Sequence, residues 1–86
     1  MPSVEEVKTY LGASVEQAEA ASLGIRGVVE RLDESLARLQ LTTVGSVHPS
    51  AAQALVRLEA ARAQLLEAQT LLHGAIEAAN QYRTVI

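Results

Sequence analysis

Apolar residues recur along this chain at steps of three and four, and the pattern occurs twice. In the first half Val4, Val7, Leu11, Ala18, Ala21, Ile25, Val28, Leu32 and Leu39 follow such steps or their sum, with Val15, Val29 and Leu36 widening the stripe. This is the period of an amphipathic helix over about residues 3–41. In the second half Ala51, Ala54, Leu58, Ala61, Leu65, Ala68, Leu72, Ala75, Ala79, Tyr82 and Ile86 continue the alternation without a polar residue. They predict a helix over about residues 50–84 with a seam sustained for about five heptads, as in a coiled coil. Large Leu and small Ala take turns along it, which lets two helices approach closely. Leu55, Leu66, Leu71 and Ile76 lie beside or outside this seam, so one neighbour leaves apolar surface uncovered.

The ends of both helices carry start and stop signals. Ser3 followed by Glu6 has the spacing of a capping box. Glu5 and Glu6 also suit the positive end of the helix dipole. The stretch "TTVGSVHPS", residues 42–50, predicts the turn at about 42–49. Thr42, Thr43 and Val44 are weak helix formers. Gly45 can take positive φ and end the first helix. His48 precedes a proline, which disfavours helical backbone there, and Pro49 suits the first turn of a new helix. Ser50 to Gln53 has the spacing of a second capping box. His48 as base or ligand lacks a partner, since the other histidine, His73, is about 36 Å further along a helix.

Helices of this size are each about 50–57 Å long, and a short connection makes them antiparallel. Residue i then faces about residue 90 − i. Gly24 and Gly27 would meet Leu65, Leu66 and Ala63, which predicts close packing at Gly24. Gly12 would meet Ala78 or Ala79, and Gly74 would meet Glu16 or Gln17. Arg26–Glu30 and Glu34–Arg38 have the spacing of intrahelical ion pairs. Arg62 and Arg83 stand beside the seam, where their methylenes could cover it.

Composition agrees with long helices. The 86 residues contain no Phe, Trp or Cys and only two tyrosines. Ala, Leu, Glu, Gln and Arg dominate, as in helical bundles. Without Cys there is no disulfide framework or thiolate chemistry. The net charge is −3 and the basic residues are scattered, unlike a nucleic-acid surface. No window approaches the ~18 apolar residues of a membrane span. The N-terminus lacks the apolar run of a cleaved signal. Synthesis in the cytoplasm is expected, with any export independent of such a leader. No phosphate-binding Gly loop, metal-ligand cluster or Ser/His/Asp set occurs, so no cofactor, metal or enzymatic activity is expected. Domains this small usually need staples or association. With no staple, the expectation is a four-helix bundle, from a homodimer or from pairing with a second helical hairpin.

Three stretches, "SVEEVKTYLGASVEQA", "VGSVHPSAAQAL" and "LLHGAIEAANQYRTVI", resemble the helical N-terminal segments of polymorphic toxins from high-GC Gram-positive bacteria. The hairpin outline is similar to WXG-type substrates and LXG-type N-terminal domains of type VII secretion. Val44-Gly45-Ser46 stands where a Trp-x-Gly would, and Tyr82 is followed after four residues by Ile86 rather than an acid. The resemblance implies a targeting or delivery domain for a secreted toxin. A structural scaffold, with the hairpin as an oligomer building block, is the alternative. The residues expected at the core or interface are Val28, Leu32, Leu36 and Leu39 on the first helix, with Leu58, Leu65, Leu72 and Ile76 on the second. Leu65→Asp is expected to abolish folding or assembly by placing an unpaired charge in the seam.

Overall fold

The computed structural model describes residues 1–86 as two long helices, α1 (Val4–Thr43) and α2 (Pro49–Val85), and no strand. The fold is all-α, an extended antiparallel hairpin of 64 × 18 × 15 Å. Its radius of gyration is 19.4 Å, against about 12 Å for a compact chain of this length.

Local chemistry sets the ends. The Ser3 side chain accepts from the Glu6 amide at 3.2 Å, the forward half of the capping box. α1 runs two residues past the predicted end. The Thr42 and Thr43 hydroxyls donate to the carbonyls of Arg38 and Leu39 at 2.7 Å, so these weak helix formers bond back into the helix. Gly45 then takes φ +78° and reverses the chain. Pro49 is already helical, at the first position of α2. The cap is His48 and not Ser50: the His48 Nδ1 accepts from the Ser50 amide at 3.2 Å. That bond gives His48 a structural task.

Two rows from each helix form the interface. On α1 they are Val15, Ser22, Val29 and Leu36, all buried, beside the half-buried Ala18, Ile25, Leu32 and Leu39. On α2 they are Leu55, Arg62, Gln69, Ile76 and Arg83 beside Leu58, Leu65, Leu72, Ala79 and Ile86, all half-buried. The predicted row Ala61, Ala68, Ala75 and Tyr82 is exposed, one residue out of the seam. The cause is side-chain size. Rolling α2 by one position gains Leu55 and Ile76, and a buried methylene contributes about 0.8 kcal/mol. The seam therefore contains Arg62, Gln69 and Arg83, contrary to the expectation of an uninterrupted apolar row. Val28 is likewise 42% exposed, because the neighbouring Val29 takes the inward position.

The register also differs from the expected 90 − i. Ser22–His73, Asp33–Arg62 and Gly12–Arg83 all pair residues whose numbers add to 95. Ser22 also meets Gln69, a sum of 91, so it sits between Gln69 and His73 and the register lies a few residues, less than one helical turn, from the expected place. Gly24 is not a close-packing site: a Cβ built there meets nothing within 4 Å, and the same holds at Gly27 and Gly74. Gly12 has the close approach, with a Cβ falling 3.1 Å from the Arg83 guanidinium.

Candidate interaction site

The rows of the seam divide the hairpin surface into two long flanks. Asp33 bonds across to Arg62, and His73 bonds across to Ser22, so the rows containing Asp33 and His73 lie on the same side. That side carries Glu19, Arg26, Asp33 and Glu59. The opposite flank is formed by the rows one residue before the buried ones. It presents Ser14, Ala21, Val28 and Ser35 from α1, with Ala61, Ala68, Ala75 and Tyr82 from α2, all exposed and none charged. Both rows that the apolar periodicity assigns to the interior, but the structure leaves outside, meet on this flank.

Large apolar side chains are exposed elsewhere too. Leu23, Leu41, Val56 and Leu71 are each more than 60% exposed. No large side chain is fully buried, and only Val15, Val29 and Leu36 form an apolar core. The accessible surface is 6422 Å², while a compact 9.1 kDa monomer exposes about 4,900 Å². The difference of about 1,500 Å² comes with the extended shape and is about twice the ~800 Å² that one partner gives to a standard interface.

One polar layer interrupts the core. Ser22, only 6% exposed, has its Oγ 2.9 Å from the His73 Nε2. Gln69 Nε2 donates to both the Ser22 carbonyl and hydroxyl at 3.4 Å. The layer was legible in principle, since Ser22 lies seven residues from Val15 and Val29, and Gln69 lies seven from Arg62 and Ile76. A Ser–His contact has the outline of a nucleophile and base. Here the hydroxyl is buried and already bonded to Gln69, His73 has no carboxylate to orient it, and the surrounding backbone amides are consumed by the helix ladder. Nothing remains to stabilise an oxyanion. The layer fits a structural role, fixing which residues of the two helices face each other.

Two shallow surface grooves of about 500 and 390 Å³ flank His73 and Ile76, one towards Asn80 and Thr84, the other towards Glu19 and Leu23. Both lie along the helices and open to solvent, unlike the enclosed clefts that desolvate small ligands. No group of three or more acidic or His side chains is placed to hold a metal ion, and no helix is long and apolar enough to cross a membrane. The intrahelical pairs expected from spacing, Arg26–Glu30 and Glu34–Arg38, do not form; the ion pair present is Asp33–Arg62, between the helices.

The expected interface residues thus divide. Leu36 is buried, Leu32, Leu39, Leu58, Leu65, Leu72 and Ile76 are half-buried along the seam, and Val28 faces out. Comparison with protein-family models, curated proteins and solved structures finds no match.

Proposed function

We propose that this chain is a non-catalytic protein–protein interaction module, which associates through helical faces that the hairpin leaves uncovered. The observation that carries this is the surface of 6422 Å² on a chain with no fully buried large side chain. A hairpin buries one stripe per helix, and that core is small for a free-standing domain. Association would hide part of the excess, and two hairpins side by side make a four-helix bundle. The biological setting that fits, from the resemblance of the three quoted stretches, is a targeting or delivery domain for a secreted bacterial toxin or effector.

Two measurements test this. Light scattering on a size-exclusion column across a concentration series reads association. A discrete dimer or tetramer supports an adaptor, and mass that grows without limit favours a scaffold building block. For delivery, the hairpin is fused ahead of a reporter enzyme in a high-GC Gram-positive host with type VII secretion. Export of the fusion, lost on Leu65→Asp, is the expected result. Equal export with and without the hairpin would refute the delivery role.

A further inference from the structure

The uncharged flank has the size and chemistry of an interface with a second copy of the chain. It extends from Ser14 to Ser35 on α1, about 32 Å of helix. Taken with a molecule 15 to 18 Å across, it offers about 500 Å² per copy, about 1,000 Å² for the pair, the lower bound for a specific interface. A two-fold dimer juxtaposes the same surface with itself. That suits a face without charge, because it brings no like charges together. The opposite flank carries Glu19, Arg26, Asp33 and Glu59, charges that a second copy docked there would have to desolvate.

The rim indicates orientation. Arg31, Arg38 and Arg57 occupy the next row out, in the half nearer the turn, and none has an ion-pair partner within the chain. Copies with their turns at the same end would crowd six guanidinium groups together. Copies with turns at opposite ends place them over the partner's Tyr10 and Val85, which are 65% and 79% exposed. A guanidinium over a phenol ring is attracted to it. We propose that a second copy of this chain docks on the Ala61–Ala68–Ala75 and Val28 face, with the two turns at opposite ends. This inference rests on the interaction-module reading and names its partner and surface.

The test compares three forms of the full chain, wild type, Ala68→Glu and Ala63→Glu, by light scattering over a concentration series. Both substitutions are at exposed Ala positions on α2, on opposite flanks, and circular dichroism checks that each hairpin folds. The expected result is a wild-type dimer, weakened at least about 100-fold by Ala68→Glu and unchanged by Ala63→Glu. A wild-type monomer at every concentration overturns the second copy as occupant, while the export assay judges the delivery role separately. A dimer that survives Ala68→Glu overturns the face. The native chain has no Cys, so Val47→Cys in the turn accepts a single spin label. Opposite turns give a label separation comparable to the 64 Å molecular length, and a separation near the 18 Å width overturns the orientation.

Discussion

Leu36 and Leu41 allow one substitution to be made in two environments on the same helix. Leu36 is 9% exposed at the interface with α2, and Leu41 is 79% exposed near the turn. Truncation to Ala at Leu36 removes three carbons from the seam. At about 0.8 kcal/mol per buried carbon, the transfer loss is about 2.4 kcal/mol. The cavity contribution is small, because the gap lies close to solvent and can fill or collapse. The total stays near the lower end of the 2–5 kcal/mol range for buried Leu→Ala. Leu41→Ala loses little contact and gains slightly in helix propensity, so its effect stays within about 0.5 kcal/mol. A domain of this length shifts its melting midpoint by about 4–8 °C per kcal/mol. Leu36→Ala should therefore melt at least about 10 °C below wild type, and Leu41→Ala within about 4 °C of it. The assay is thermal unfolding by circular dichroism at one fixed protein concentration, since association would otherwise shift the midpoint. Equal shifts, or a larger one for Leu41→Ala, would refute the assignment of the seam.

Glycine substitutions should separate the turn from the helices. Gly45→Ala forces a side chain into positive φ and should cost about 1 kcal/mol or more, while Gly24→Ala and Gly74→Ala enter open helical space and should each stabilise by up to about 1 kcal/mol, all read by urea unfolding. Ser22→Ala and His73→Ala, combined in a double-mutant cycle, should show a coupling of about 0.5–1.5 kcal/mol, and a coupling of zero would mean the 2.9 Å contact contributes nothing. Asp33→Asn should change stability by less than about 0.5 kcal/mol, because Arg62 and Asp33 are 39% and 49% exposed. Arg62→Ala should cost more than Asp33→Asn in the same unfolding assay, since it also strips methylenes from the seam.

What could be read from the sequence was whatever a few adjacent residues decide. Two helices, Ser3 as a cap and the reversal at Gly45 follow from local backbone chemistry. The ends at Thr43 and Pro49 were displaced because hydroxyl back-bonding carries α1 through Thr42 and Thr43, and because an imidazole capped α2 in place of a serine. The register was harder. It depends on the length of the turn and on cross-helix partners such as Asp33–Arg62, which no local spacing specifies. The expected close packing at Gly24 fails for a different reason: Gly24 shares the exposed row of Arg31 and Arg38, outside the seam, and a Cβ built there meets nothing within 4 Å.

The choice of inner face shows why periodicity underdetermines a helix of this composition. On α2 the row Leu58, Leu65, Leu72 and Ala79 pairs equally well, by spacing, with the Ala row before it or with the Leu55–Ile76 row. Hydrophobicity favours the first, which is unbroken. Volume favours the second, provided its polar members are accommodated. The structure accommodates each of them: Arg62 reaches Asp33, Gln69 reaches Ser22, and Arg83 lies over Gly12. The same one-residue choice on α1 sends Val29 inward and leaves Val28 outside. Rejecting the smaller row on both helices has a joint consequence, because antiparallel packing brings the rejected rows to the same flank. The ambiguity in the sequence thus corresponds to two physical faces. One closes the hairpin on itself. The other remains uncharged along its length, and a second helical surface is what would cover it.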